Sequence, residues 1–367
     1  MLFGSLILLL TAVGAISAYS SHSSCRDVQI PVTVSVPRFI INTTVEDNWD
    51  AVALSFNLTR RDSGQSSDPL PIVGKTSQSV RSEYKVGVTL CGDERRPVLV
   101  LTHGIIESKK YWQPSFKGAE RYNFVDAALA AGYSVLNYDR IGVGSSSKID
   151  ALRDAQFQVE TAVLNSLIAY ARQSMKATKV ALVGHSYGSY LSGAAANQTA
   201  VDAVVLTGFS GYFDNFAPFI AGASFRVAKL KNPSRWGHLE PGYLTSSDLY
   251  AETYGYFAEP YFEHRVAEWS YEHQAEPFAI GELPTLLASF DNFNNISAPV
   301  LVIQGQFDLP PCGGNCLGQL ERTKTVFQKA RIIETVDDLP AGHNLNLHAC
   351  APQAFRKIFD FLTIQMR

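Results

Sequence analysis

Six short runs rich in apolar and β-branched residues constrain this chain most: 98–101, 134–138, 180–183, 203–206, 300–303 and 331–336. A strand buried on both faces reads as such a run, without alternation. Stretches of helical character surround them, at about 121–131, 154–175, 187–196, 317–329 and 351–365. The alternation predicts a parallel sheet flanked by crossover helices. Three earlier segments, Val28–Val36, Ala51–Phe56 and Ser82–Leu90, read as strands of an antiparallel meander ahead of it. The stretch between Leu206 and Val300 is too long for one crossover and is crowded with aromatics, from Tyr212 to Phe278. It predicts a small helical subdomain whose aromatics are mostly its own core, a few of them lining an apolar cleft under a lid.

The chain of 367 residues is long enough for one large α/β domain with an insertion. Hydrophobic residues make up 46% and charged residues 18%, the balance of a folded globular protein. With 31 Lys+Arg against 34 Asp+Glu, and no basic run to track a phosphate backbone, nucleic acid is excluded as a partner. Leu2–Leu10 is an apolar run of signal-peptide length, too short to span a bilayer, and Ala15, Ser17 and Ala18 offer cleavage sites. Residues 1–18 are therefore expected to be a signal peptide, and the mature chain to be secreted or held in the secretory pathway without a stable membrane span. Asn42, Asn57, Asn197 and Asn295 each open a glycosylation acceptor tripeptide. An oxidising compartment would pair four of the five cysteines. Cys25 with Cys91 would tie the amino-terminal arm to the sheet, while Cys312, Cys316 and Cys350 compete for a second bridge. No metal site is expected, because Cys312 and Cys316 have no second pair at a suitable spacing.

The third run continues into Gly184-His185-Ser186-Tyr187-Gly188. A serine hydroxyl is a weak nucleophile, so its use requires exposure, an adjacent base and donors for the developing oxyanion. A strand ending in a sharp turn exposes the serine, and glycines on either side let strand and helix approach closely. The helix that follows brings its free N–H groups beside the reacting atom. Ser186 is thus the candidate nucleophile.

An acid and a base should follow it in chain order. The loop after the run 300–303 delivers Asp308, and the loop after the run 331–336 delivers His343. Asp337 and Asp338 fall at a strand end, Asp291 precedes its strand, and His348 falls at the start of the last helix; all rank lower. For the oxyanion the expected donors are the N–H of Tyr187, after the nucleophile, and that of Ile105, in the loop after the first run. His103, in the same loop, is expected to brace it by hydrogen bonds.

Together these segments resemble the α/β-hydrolase superfamily, in its lipase and esterase-like branches, over about 97–366. Tyr138-Asp139-Arg140-Ile141-Gly142-Val143-Gly144-Ser145-Ser146 is similar to a loop of that family. The resemblance implies an α/β-hydrolase fold with a mostly parallel central sheet flanked by helices and an inserted helical cap. The implied division is core over 19–210 and 291–367, with the cap at 211–290. It also implies a serine hydrolase that cleaves carboxylic esters through Ser186, His343 and Asp308, without a cofactor. Ile105 and Ile106 stand where many esterases carry further glycines, which suggests a plain two-donor hole with apolar walls and disfavours highly polar acyl groups; the expected partner is a small molecule with an apolar acyl group. Two other readings fit the same residues: a biosynthetic acyltransferase, thioesterase, lactonase or cyclase using this triad, and a non-catalytic binding protein on this fold. An aspartate-nucleophile enzyme does not fit, since the turn carries serine. No oligomeric state follows from the sequence.

Overall fold

The computed structural model describes residues 25–59, 70–290 and 292–367. The expected signal peptide, 1–18, and Asp291 lie outside them. The centre of the molecule is an eight-stranded sheet. Its strands are β1 (Cys25–Val36), β2 (Val80–Cys91), β3 (Val98–Thr102), β4 (Ser134–Tyr138), β5 (Val180–His185), β6 (Ala203–Thr207), β7 (Val300–Gly305) and β8 (Ile333–Leu339). Their spatial order is β1-β2-β4-β3-β5-β6-β7-β8. β1 and β2 pair antiparallel, as do β2 and β4; every later pairing is parallel. All residues of β3, β4, β5, β6 and β7 are buried, so their runs are continuous because helices cover both faces.

The helices used below are α1 (Asn48–Thr59), α2 (Phe124–Ala130), α3 (Phe157–Gln173) and α4 (Tyr187–Gln198). They continue with α5 (Phe216–Ala223), α6 (Leu249–Tyr256), α7 (His264–Trp269), α8 (Glu282–Ser289), α9 (Leu309–Cys312) and α10 (Ala351–Gln365). α5 to α8 belong to the long segment between β6 and β7, which also holds a three-stranded sheet of Arg226–Val227, Tyr243–Thr245 and Phe278–Ala279. The aromatics of this segment largely pack among themselves, as in the Phe225–Phe278 pair at 4.9 Å.

Two sequence expectations are corrected. Ala51–Phe56 is not a strand: it lies inside α1. The Asp47 carboxylate accepts the N–H groups of Trp49 and Asp50 and so caps the helix, and Ala51, Leu54 and Leu58 are buried at helical spacing. The opening is therefore the β1–β2 pair, a helix, and a separate two-stranded sheet of Phe39–Ile41 and Ile72–Lys75. The helix expected at 317–329 shrinks to Leu320–Thr323 with a tighter turn at Lys324–Val326. Gly318, at a φ of +74°, gives its N–H to the Asp337 carboxylate and delays the start.

Cys25 and Cys91 form a disulfide that joins β1 to β2. Cys312 and Cys316 form the second, which leaves Cys350 as a buried thiol. Among the described residues, no helix is long and apolar enough to cross a membrane.

Candidate active site

The carboxyl ends of β5, β7 and β8 converge at one edge of the sheet. β5 ends at His185 and α4 begins at Tyr187, so Ser186 alone makes the turn, with φ 54° and ψ −122°. That backbone is strained for an L-residue and persists only where its surroundings hold it. Here the close approach of strand and helix holds it. A Cβ on Gly188 would lie 2.2 Å from the Thr102 carbonyl oxygen, and one on Gly184 would lie 2.5 Å from the Gly188 oxygen. The Ser186 N–H also donates to the Thr207 carbonyl at 2.9 Å.

β7 is followed by Asp308, which precedes α9, and β8 is followed by His343. The structure brings these two residues and Ser186 together. His343 Nε2 is 2.8 Å from Ser186 Oγ, and His343 Nδ1 is 2.7 Å from Asp308 Oδ1. Asp308 is fully buried. Burial pushes its carboxyl above the usual range, and the facing His343 pulls it back. With Nδ1 bonded to the carboxylate, the imidazole presents Nε2 as a lone pair to the serine hydroxyl.

The lower-ranked candidates lie elsewhere. His348 is buried and accepts the N–H groups of Gly342 and Ala258 on Nε2; burial pushes it down to about 4. In this way it anchors the loop that carries His343. Asp337 and Asp338 are in β8. His103 is buried, donating from Nδ1 to the Gly104 carbonyl at 2.9 Å and accepting the Arg140 N–H on Nε2 at 3.1 Å.

Ile105 and Tyr187 both line a small pocket beside Ser186, with Tyr190, Gly208, Phe216, Phe219, Leu283, Leu286, Pro310 and Pro311. Its free volume is about 20 Å³, room for roughly one water molecule. Tyr187 is the first residue of α4, where an N–H has no partner within the helix. The Ile105 carbonyl accepts the Tyr256 hydroxyl at 2.8 Å, a contact from the inserted segment.

Behind Tyr187 lies a group of buried charges whose acids the sequence did not single out. Arg140 pairs with Glu160 of α3 at 2.8 Å and with Glu282 of α8 at 2.7 Å, all three buried, and its guanidinium sits 4.7 Å from the centre of the Tyr187 ring. Burial raises both carboxyls, and one guanidinium does not fully offset two carboxylates. The Gly104 loop holds a further buried acid, Glu107, whose Oε2 accepts the Gly104 N–H at 2.6 Å. Arg140 lies in the Tyr138–Ser146 stretch, but no sequence signal marks the three acids, because a buried carboxylate and an exposed one read alike. Among the described residues, no group of three or more His, Cys, Asp or Glu side chains is placed to hold a metal ion.

Comparison with known proteins agrees with this architecture. A profile described as the alpha/beta hydrolase family matches residues 99–356. A thermophilic esterase from Thermogutta terrifontis superposes with a TM-score of 0.54 at 16% identity, over 77% of this chain and 95% of that one. A monoacylglycerol lipase from Paleococcus ferrophilus gives 0.55 at 17% identity, over 76% and 99%. A bromoperoxidase from Bacillus anthracis gives 0.53 at 20% identity, over 77% and 96%. At such identities the likeness concerns the fold. No curated protein matches the sequence.

Proposed function

This chain belongs to the alpha/beta hydrolase family, and we propose that it hydrolyses carboxylic esters of apolar acids through Ser186, His343 and Asp308. The observation that carries the reading is the hydrogen-bonded line from Ser186 Oγ through His343 to Asp308, at 2.8 and 2.7 Å, on a strained turn. Ser186 Oγ attacks the acyl carbonyl carbon while its proton passes to His343 Nε2. The tetrahedral oxyanion collapses, the alcohol leaves with that proton, and the acyl group stays on Ser186. Water then gives a proton to His343 and attacks the acyl carbon; the acid departs and Ser186 Oγ recovers the proton. Asp308 holds the imidazole tautomer and stabilises the cation formed at each attack. The Ile105 and Tyr187 N–H groups receive the oxyanion.

The apolar walls around Ser186 support an apolar acyl group, and the narrow space supports a short one or a shift of α5 when substrate enters. Two disulfides support a passage through an oxidising compartment, in line with secretion. Of the four acceptor asparagines, Asn42 and Asn295 are exposed and are the better glycosylation sites. The deciding experiment is turnover of p-nitrophenyl esters by the wild type and Ser186→Ala. The reading expects a loss of about 10⁶-fold in kcat. Equal rates for the two proteins would overturn it.

A further inference from the structure

We propose that Glu107 is a positioning residue for the oxyanion site that works as a neutral carboxylic acid, linking the Gly104–Ile105 loop to the nucleophile turn through His185. The inference rests on the ester-hydrolase reading. Glu107 is 1% exposed, and its Oε2 takes the Gly104 N–H at 2.6 Å. The Gly104 carbonyl is held from the other side by His103 Nδ1 at 2.9 Å and the Arg140 guanidinium at 3.3 Å. In a trans peptide the carbonyl and the following N–H point in opposite directions. Fixing the Gly104 carbonyl against His103 and Arg140 therefore fixes the direction of the Ile105 N–H. Glu107 holds the near side of the same residue.

The second oxygen of Glu107 defines its protonation. Oε1 faces His185 Nε2 at 3.4 Å; both atoms are buried and neither is in hydrogen-bond geometry with another described group, although the Gln274 side chain also acts on Glu107 and that of Asn344 on His185. His185 Nδ1 lies 2.9 Å from Thr207 Oγ1, and the Thr207 hydroxyl donates its proton to the Gly184 carbonyl at 3.1 Å. The hydroxyl must then accept from His185, so Nδ1 carries the hydrogen and Nε2 of the neutral ring is a bare lone pair. Only a donor can satisfy it: the buried Asn344 side-chain carbonyl oxygen beside His185 cannot, whereas Glu107 Oε1, which faces it, can when it carries a proton. A slight closure of the 3.4 Å gap completes a chain from Gly104 through Glu107, His185 and Thr207 to Gly184, on both sides of Ser186.

The alternative, a Glu107 carboxylate with a His185 cation, works against catalysis. The His185 ring is 4.7 Å from the His343 ring, so a charge there would oppose the His343 cation formed at each attack. A carboxylate at Gly104 would oppose the oxyanion. Burial favours the neutral forms of both, raising the Glu107 carboxyl and lowering His185. Tyr111 stacks on His185 at 4.4 Å, and Arg140 and Glu252 act on Glu107 in opposite senses.

The experiment compares Glu107→Gln and Glu107→Ala in the full chain. It measures kcat and KM with p-nitrophenyl butyrate and the inhibition constant of an alkyl boronic acid, which mimics the tetrahedral oxyanion. An amide accepts from Gly104 and donates to His185 as the acid does, so Glu107→Gln should keep kcat within about threefold. Glu107→Ala should lower kcat about 10²-fold with little change in KM, and weaken the boronic acid by a similar factor. If the alanine variant does not fold, the glutamine variant decides alone. A loss in Glu107→Gln beyond about tenfold overturns the neutral-acid role. Normal kcat and inhibition in folded Glu107→Ala overturn the positioning role. Wild-type protein without ester turnover would instead refute the underlying reading.

Discussion

Gly208 follows β6 with a φ of +61°, and its missing side chain makes the room in which His343 sits. A Cβ there would lie 2.6 Å from His343 Cε1, 3.0 Å from His343 Nδ1 and 3.1 Å from His185 Cε1. Carbon atoms in contact settle at about 3.5–4.0 Å, so in Gly208→Ala the imidazole must retreat by about 1 Å. The retreat disturbs two hydrogen bonds at once, because His343 is fixed at 2.7 Å to Asp308 and 2.8 Å to Ser186 on opposite sides of its ring. A misplacement of about 1 Å costs about 10²-fold in rate, which is about 2.7 kcal/mol of transition-state stabilisation. The left-handed backbone adds a stability cost of about 1–2 kcal/mol, which a domain of ordinary stability survives folded. Steady-state turnover of p-nitrophenyl butyrate gives kcat, and circular dichroism with thermal melting verifies the fold. A folded Gly208→Ala with kcat within about threefold of wild type would refute the claim that the His343 position limits the reaction.

Two further substitutions probe the pocket wall and the buried charges. Phe216 is half-buried and lines the space beside Ser186, so Phe216→Ala should move the preferred p-nitrophenyl ester to a longer acyl chain, read as kcat/KM across a chain-length series; an unchanged optimum would remove this residue from the acyl wall. Glu160 is pushed by burial up to about 8, against the Arg140 charge that lowers it, so the folded state holds a proton that the unfolded chain releases near pH 4.5. The raised carboxyl contributes stability that is fully present below pH 4.5 and is lost as pH rises through about 8. Within that window the wild type should lose about 1.4 kcal/mol of unfolding free energy per pH unit on this account. Glu160→Gln should flatten the slope in urea titrations between about pH 5 and 8; an equal slope in both proteins would show that the proton resides elsewhere.

Ser186 and Asp308 were legible because each follows a run whose burial on both faces leaves little choice of structure; the run ahead of His343 lies in the partly exposed edge strand β8 and is read from its β-branched residues instead. Such a run ends where the sheet ends, and the next loop must open at the sheet's carboxyl edge. α1 was not legible in this way. Val52 and Phe56 suggest a strand, and only the Asp47 cap and the spacing of Ala51, Leu54 and Leu58 decide for a helix. Propensity over so short a window loses to capping and to a partner surface that the sequence does not reveal.

The buried acids are the harder case, and their placement explains how the inserted segment is joined to the core. Glu282 comes from α8 of the insertion, Glu160 from α3 of the core, and both meet on Arg140 behind Tyr187. The Tyr256 hydroxyl, also from the insertion, reaches the Ile105 carbonyl. The insertion thus reaches the Ile105 peptide by a hydrogen bond and, through Glu282 and Arg140, stands behind the Tyr187 ring. Breaking a buried pair by removing one partner is costly because it strands the other charge. Any movement of the insertion that admits substrate therefore has to leave α8 in place. α5, whose Phe216 and Phe219 line the pocket and carry no charge into the core, is the element whose movement would break no ion pair.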